Sequence, residues 1–258
     1  NNAEVWINGV YLGKRPFGYI SFLYNLTPYL NFGGENVLAV RVDHSQFADS
    51  RWYTGSGIYR HVRLHINNRL HIDHWGTFVT TPIATAGAAQ VQVETIVKNA
   101  GDEPKAYTLH LRIKDDWGTV VQTAKHKGVI GAESADVVTQ TLPVLNPQCW
   151  SPDSPHLYTL ESSIVESMQV VDKSQTAFGI RSFRFDPDEG FFLNGVNMKL
   201  KGVCLHHDGG PVGAAVPEKV WVQRFKKLKE IGCNAIRCSH NPPSPEFLDL
   251  CDRMGFLV

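Results

Sequence analysis

Alternation of hydrophobic and polar residues dominates the first quarter of the chain. Asn8-Gly9 stands between two alternating runs in "EVWINGVYL", and this dipeptide is the strongest short-range signal for a two-residue β-hairpin. The runs "NVLAVRV" and "IYRHVRLHI" also alternate, and the second would place Val62, Leu64 and Ile66 on one face of a strand. Because no helical periodicity interrupts them, antiparallel β-structure is predicted over residues 1–66.

The same alternation continues over residues 67–185, where turn residues separate short strands. Strand candidates are "AQVQVETIVKNA", "AYTLHLRIKD" and "LYTLESSIV", with Gly, Asp, Pro and Asn turns between them. Short strands at this spacing predict a β-sandwich. The stretch "DPDEGFFLNG" then marks a boundary, and Asn194-Gly195 predicts another tight hairpin.

The pattern changes in the third segment, residues 186–258. Two mostly apolar strands are predicted at "MKLKGVCLH" and "NAIRCSH". A helix follows each: the first carries a stripe of Trp221, Phe225 and Leu228, and the second has Ser244 at its N-cap. "FLV" would begin a third strand. This order predicts a parallel sheet with right-handed crossovers.

The third segment is short for such a sheet. A (β/α)8 barrel takes about 250 residues and eight units, whereas this segment offers roughly two units. The 258 residues of the chain also exceed one domain of ordinary size. We therefore expect the front part of a longer polypeptide, cut at both ends, with two or three domains.

Composition narrows the function classes. Lys and Arg number 25 and so do Asp and Glu, and this balance argues against a non-specific nucleic-acid binder. No apolar run is long enough to span a bilayer. Five cysteines without a CxxC pair indicate neither a disulfide framework nor a zinc finger. The compartment stays open, whether cytoplasmic, periplasmic or secreted.

Polar residues gather where the two predicted parallel strands end. His206-His207-Asp208 follows the first strand, and the run from Arg237 to Asn241 closes the second. Neighbouring strands lie about 4.8 Å apart, so both groups would line one mouth. Consecutive residues point to opposite faces, which favours one histidine in the pocket and one packed outward. A metallohydrolase stays an alternative on ligand type alone.

Two residues of the second strand end have alternative interpretations. Arg237 is expected to be largely buried, either in an internal ion pair with an acidic residue or as a donor fork that holds a carboxylate. His240 is either a hydrogen-bonding cap or a donor to substrate. The residues alone leave both choices open.

The stretch "QFADSRWYTGSGIYRHV" in the first segment is unusual. Aromatic faces stack on sugars and Asp49 can accept hydrogen bonds from hydroxyl groups. Alternatively, Trp52 and Tyr53 fill a domain interface while Asp49 and Arg51 form a weak surface pair. The interface role is favoured for Trp52, and the two interpretations are balanced for Asp49.

Three motifs, in this order, resemble those of glycoside hydrolase family 2, the β-galactosidase, β-glucuronidase and β-mannosidase group. They are "SRWYTGSGIYRHV", "LNGVNMKLKGVCLHHD" and "NAIRCSHNPPSPEFLDLCDRMGFLV". The resemblance covers essentially the whole chain. It implies the C-terminal part of a jelly-roll sugar-binding domain over 1–66, an immunoglobulin-like β-sandwich over 67–185, and the start of a (β/α)8 TIM barrel over 186–258.

The resemblance also implies roles for individual residues. His206 and His240 resemble ligands of sugar hydroxyls, and Arg237 resembles the residue that orients the nucleophilic carboxylate. Asp49 resembles an acidic sugar contact that reaches over from the first domain.

Two further residues, Asp208 and Asn241, are carried as substrate-binding candidates. Asp208 is included because it lies beside His206. Asn241 stands where many members have Tyr, which puts the contact of that side chain in doubt.

Family members retain anomeric configuration with an acid/base Glu and a nucleophilic Glu, whose carboxyls lie about 5–5.5 Å apart. Both are expected on later barrel strands beyond Val258, so neither role is given to a residue here.

The implied activity is that of a retaining exo-β-glycosidase, with β-galactosidase preferred over β-glucuronidase, β-mannosidase or a non-catalytic carbohydrate-binding β-protein. A carbohydrate substrate is implied and no cofactor is required. An Mg or Na ion and a homo-oligomer stay open in the complete enzyme, and no nucleic-acid or membrane partner is expected.

Overall fold

The computed structural model describes residues 1–45 and 55–258. The predicted sugar contact Asp49, with Arg51, Trp52 and Tyr53, lies outside the described residues. Within these ranges the helices are α1 (Glu218–Glu230) and α2 (Pro245–Met254), with 3₁₀ turns at Thr27–Tyr29 and Gly210–Val212. The strands are β1 (Ala3–Ile7), β2 (Val10–Arg15), β3 (Leu38–Val42), β4 (Leu70–Ala84), β5 (Ala88–Asn99), β6 (Lys105–Lys114), β7 (Val120–Ile130), β8 (Ser134–Leu145), β9 (Tyr158–Glu166), β10 (Gln169–Phe178), β11 (Phe183–Asp186), β12 (Gly190–Leu193), β13 (Val196–Asn197), β14 (Gly202–Leu205) and β15 (Ala235–Cys238).

The first sheet is antiparallel, with strand order β2-β1-β3. Asn8 and Gly9 join β1 to β2 with φ angles of 50° and 81°. These left-handed angles are those of a type I′ turn, whose twist matches that of the flanking strands. The predicted hairpin and the predicted strand at "NVLAVRV" are therefore confirmed.

The predicted strand at residues 58–66 is wrong. Among the residues that the structure describes, no strand pairs with this stretch, and Val62, Leu64 and Ile66 are exposed. Alternation produces a strand only where a neighbour accepts its backbone hydrogen bonds and covers its apolar face. Neither condition is met along this segment.

The segment from β4 to β10 forms the predicted β-sandwich. One antiparallel sheet has the strand order β4-β5-β8 and the other has the order β10-β9-β6-β7. Their inward side chains form one continuous core, in which Val93, Leu109, Ile113 and Leu160 are fully buried. The strands predicted from alternation, β5, β6 and β9, are the central strands of the two sheets.

The strands that the pattern did not reveal are β4, β7, β8 and β10, and each is an edge strand. An edge strand is paired on one side only and tolerates many polar residues. In β7, "VVQTAKHKGVI", only Ile130 is buried. The apolar alternation is therefore weak where the sheet ends.

The boundary after the sandwich is a small antiparallel sheet with strand order β11-β12-β13. Asn194 and Gly195 join β12 to β13 with φ angles of 51° and 79°. The second predicted hairpin is confirmed.

The third segment contains the predicted parallel pair. β14 runs parallel to β15, and Cys204 lies opposite Arg237 in the register. Each strand is followed by a helix, as expected. The predicted third strand at "FLV" is not formed, because residues 256–258 contain a bridge position at Leu257 but no continuous ladder.

The two helices follow their sequence signals. Trp221 and Phe225 of α1 are buried, and the Phe225 ring lies 5.2 Å from the ring of Phe247 on α2 at 85°. The Ser244 hydroxyl accepts a hydrogen bond from the Phe247 amide at 3.3 Å, as an N-cap does. Gly255 follows α2 with a φ of 73°, which suits a helix stop.

The chain divides into two compact units. One comprises residues 1–63 and 201–251 with Val258, and the other comprises 64–200 and 252–257. The first unit thus groups most of the first predicted segment with most of the third. The predicted boundaries at 66/67 and 185/186 stay a prediction.

Candidate functional site

The parallel pairing of β14 and β15 brings two polar loops together. Because the strands run in the same direction, both carboxyl ends lie at one edge of the sheet, where functional groups of parallel α/β folds collect. His206 follows β14, and Ser239 and His240 follow β15. The Ser239 amide donates to the Leu205 carbonyl at 2.8 Å and so extends the ladder to the loops.

Arg237 is the centre of this edge. One guanidinium nitrogen, Nη1, lies 3.0 Å from His240 Nδ1, 3.3 Å from Ser239 Oγ and 3.7 Å from Cys204 Sγ. The three contacts orient the planar guanidinium group between the two strand ends. The guanidinium of Arg237 has the positive charge, the planar shape and the N–H donors that are needed to hold a carboxylate.

The prediction that Arg237 is largely buried is wrong. The residue is exposed, because nothing in the described parts of the chain covers this face of the two-stranded sheet. Over residues 1–45 and 55–258, no Asp or Glu oxygen forms an ion pair with it. The alternative of an internal ion pair is therefore not realised among the described residues.

His206 and His240 face each other across the strand ends. Their ring centroids are 5.7 Å apart and the rings are perpendicular at 88°. With Arg237 they form what is called here the strand-end cluster: Arg237, His206 and His240. The structure thus brings together three of the predicted site residues.

His207 lies in different surroundings from His206. Its ring centroid is 4.4 Å from that of Tyr19. Consecutive residues on an extended chain diverge, and the two histidines do so here. Over residues 1–45 and 55–258, no group of three or more His, Cys, Asp or Glu residues has the geometry to hold a metal ion.

Two other predicted residues, Asp208 and Asn241, lie within the described ranges, where no hydrogen bond from either one to Arg237 or His240 is observed. The backbone carbonyl of Asp208 accepts a hydrogen bond from Arg224 Nη1 at 2.8 Å. Asn241 lines a cleft of about 520 Å³ together with His207, Trp221 and other residues of the same unit. The roles of Asp208 and Asn241 stay predictions, as does that of Asp49.

Two members of this edge received no role from the sequence: Ser239, which lies in the predicted polar run, and Cys204. Ser239 is buried, and its hydroxyl contacts Arg237. Hydrogen bonds with Ser239 and Arg237 hold the pKa of the Cys204 thiol below its usual value. The opposite shift occurs at Cys238, where burial raises the pKa. The strand register was the signal that could have found Cys204, because position 204 lies opposite position 237.

Glu246, in the first turn of α2, is held by the first segment of the chain. Its Oε1 lies 2.6 Å from Arg63 Nη2 and 3.9 Å from His61 Nε2. Burial alone would raise the pKa of Glu246, but its own backbone amide and Arg63 outweigh burial and lower that pKa. A general acid needs a raised pKa, so Glu246 is poorly suited to that role.

No helix in the described ranges has the length and apolarity needed to cross a membrane.

Comparison with known proteins places these features in a wider context. Residues 70–181 match the family described as Glycosyl hydrolases family 2, and residues 187–258 match Glycosyl hydrolases family 2, TIM barrel domain. The chain is 48% identical over 257 residues to Beta-galactosidase BoGH2A of Bacteroides ovatus, covering 100% of the chain and 30% of that protein. It is 40% identical over 257 residues to a putative beta-glucuronidase of Formosa agariphila, covering 100% of the chain and 24% of that protein.

Solved structures give the same result. The crystal structure of a glycosyl hydrolase family 2 member from Bacteroides cellulosilyticus matches 100% of this chain with a TM-score of 0.96 and 42% identity. The match covers 35% of that structure's chain. The chain thus spans about a third or less of the length of the relatives described here.

Proposed function

Because the chain belongs to glycosyl hydrolase family 2, we propose that it supplies the substrate-holding edge of a retaining exo-acting β-glycosidase. The reaction is hydrolysis of terminal non-reducing β-linked sugars through a covalent glycosyl-enzyme. The preferred substrate is a β-galactoside.

The observation that carries the proposal is the contact of Arg237 with His240 at the ends of two parallel strands, with His206 opposite. The two imidazoles offer hydrogen-bonding groups to sugar hydroxyls. The guanidinium offers a fixed positive donor to a carboxylate. A site for a neutral sugar beside a nucleophilic carboxylate can use both kinds of group at one edge.

The carboxylates of the retaining reaction belong, in this proposal, to residues outside this chain. Such a pair must lie about 5–5.5 Å apart, one on each side of the scissile bond. Glu246, on α2, is paired with Arg63, and among the described residues no hydrogen bond joins Asp208 to Arg237 or His240. The residues described here therefore hold and orient, and they do not attack the substrate.

The sugar is inferred from the relatives. The relative with 48% identity bears the name Beta-galactosidase, which favours a β-galactoside. A β-glucuronide is the second candidate, because relatives with 40% and 35% identity bear the names putative beta-glucuronidase and beta-glucuronidase. The roles given to the strand-end cluster require no metal ion, and an Mg or Na ion in the full-length protein stays a prediction.

Two assays test the proposal. The full-length protein is assayed on nitrophenyl β-galactoside, β-glucuronide and β-mannoside, and turnover of the galactoside should exceed that of the others. Sugar binding without turnover of any of the three would instead indicate a non-catalytic carbohydrate-binding protein. The 258-residue chain is assayed separately. Substantial turnover by this chain would overturn the assignment of the carboxylates to residues outside it.

A further inference from the structure

We propose that Arg60 is a positioning residue, which holds the loops after β14 and β15 in the arrangement that the strand-end cluster requires. Its guanidinium donates in two directions. Nη1 lies 2.7 Å from the carbonyl oxygen of Tyr19, and Nη2 lies 2.9 Å from the carbonyl oxygen of Pro242. The inference rests on the proposed function, because it concerns the same sugar-holding site.

The bond to Pro242 acts on the loop after β15. Pro242 is two residues beyond His240, so its carbonyl oxygen is close along the chain to the imidazole that faces His206. A carbonyl held at 2.9 Å by a charged donor restricts the path of this loop. Arg60 therefore limits how far His240 can move away from Arg237.

The bond to Tyr19 acts on the loop after β14. The centroid of the Tyr19 ring lies 4.4 Å from that of the His207 ring, and His207 directly follows His206. Arg60 fixes the Tyr19 backbone, and the Tyr19 side chain packs against this second loop. One guanidinium thus links both loops that carry the predicted sugar ligands.

A second residue supports the Arg60 side chain. The Tyr59 hydroxyl donates to the Gly18 carbonyl at 2.7 Å, and the Arg60 guanidinium carbon lies 5.2 Å from the Tyr59 ring centroid. Burial raises the pKa of Tyr59, so its hydroxyl keeps the proton that it donates. Residues 18–19 are therefore held at two adjacent carbonyl groups.

A lysine at this position would not reproduce the geometry. Its rigid fork presents separate N–H groups to two carbonyl oxygens at once, whereas the ammonium group of lysine is a single point charge on a flexible stem. Arg63, three residues further on, gives a natural comparison. It is bound to the Glu246 side chain at 2.6 Å and contacts neither loop in the observed hydrogen bonds.

The test uses the full-length protein with Arg60→Lys, Arg60→Ala and, as matched control, Arg63→Ala. We expect kcat/KM on the preferred nitrophenyl glycoside to fall about 10- to 100-fold for both Arg60 variants, since displacement of a binding group lowers the rate on this scale. Millimolar guanidinium ion should restore part of the activity of Arg60→Ala only. Arg63→Ala should retain wild-type kcat/KM. A lowered Tm with unchanged kcat/KM per folded molecule would assign Arg60 a merely structural role.

Hydrogen exchange separates this inference from the proposed function. The backbone amides of residues 206–208 and 240–241 should exchange faster in the Arg60 variants than in wild type, and not in Arg63→Ala. Unchanged exchange would overturn the positioning role whether or not the protein hydrolyses glycosides. A wild-type protein without glycosidase activity would overturn the proposed function, while faster exchange in the Arg60 variants would still support the link between the loops.

Discussion

The guanidinium of Arg237 lies 3.0 Å from Nδ1 of His240, and this contact determines which imidazole nitrogen can donate to a ligand. A guanidinium has donors and no acceptor, so Nδ1 must accept. The proton of the neutral ring is then on Nε2. His240 is therefore oriented as a donor from Nε2, which suits a sugar hydroxyl.

The first prediction concerns this tautomer. The nitrogen NMR shifts of His240 should report an Nε2–H ring at a pH where the imidazole is neutral. In Arg237→Met the acceptor role of Nδ1 is lost, and the two tautomers should approach the mixture of a free histidine. A dominant Nδ1–H form in the wild-type protein would contradict the observed contact.

The second prediction concerns turnover. Arg237→Ala in the full-length protein should lower kcat about 10²–10³-fold, which is the usual cost of removing one fixed donor in an active site. Arg237→Lys should recover little, because a single ammonium group cannot reproduce the planar fork. Lys227→Ala removes an exposed charge that is paired with Glu230 and serves as the control. An unchanged kcat in Arg237→Ala would refute the orienting role.

The third prediction concerns two neighbouring cysteines. Hydrogen bonds with Ser239 and Arg237 lower the pKa of Cys204, whereas burial raises the pKa of Cys238. A lower pKa gives more thiolate at a given pH, so iodoacetamide at about pH 8 should modify Cys204 before Cys238. Mass spectrometry after timed alkylation measures the order. In Ser239→Ala the difference between the alkylation rates of Cys204 and Cys238 should narrow. Equal alkylation rates of the two cysteines in the wild type would contradict the prediction.

The fourth prediction concerns acid stability. The pKa of Glu246 is lowered from 4.5 in the folded chain, so its contribution is present above that value and is lost as the pH falls through the folded pKa. Glu246→Gln should lower the free energy of unfolding by about 0.5–1 kcal/mol at neutral pH. Below the folded pKa of Glu246 the substitution should leave that free energy unchanged. Thermal unfolding as a function of pH measures this. Asp249→Asn removes the same charge from α2 without the Arg63 contact, and an identical pH profile in both variants would contradict the prediction.

The fifth prediction concerns two glycines with positive φ. A Cβ on Gly255 would overlap the carbonyl oxygen of Pro152, whereas a Cβ on Gly232 would meet nothing within 4 Å. Gly232→Ala should cost about 1–2 kcal/mol for the left-handed backbone alone. Gly255→Ala should cost about 1–3 kcal/mol more, because the neighbour must move. Urea unfolding of both variants gives the difference, and equal costs would contradict the overlap.

Whether a strand could be predicted from sequence depended on its position in the sheet. β5, β6 and β9 are central, so one row of side chains in each strand is buried and alternation is clear. The edge strands β7 and β10 carry polar residues at many positions and left no comparable signal. The stretch at residues 58–66 shows the converse, because alternation without a pairing neighbour produced no strand.

The site likewise has features that could be predicted from sequence and features that could not. Parallel strand order alone predicted that the residues after β14 and β15 would meet, and His206 and His240 do so, with Arg237 of β15 in contact with His240. Exposure of Arg237 and its contact with Ser239 could not be predicted, because both depend on which face of the sheet is covered.

By itself, the sequence determined the hairpins at Asn8 and Asn194, the two helices and the central strands β5, β6 and β9, because these depend on turn chemistry, capping and periodicity within a few residues. Only the tertiary structure decided that one Arg60 side chain bonds to both Tyr19 and Pro242. Pro242 lies 182 residues from Arg60 along the chain. Contacts over such separations follow from how packed elements meet in space, and no local pattern encodes them.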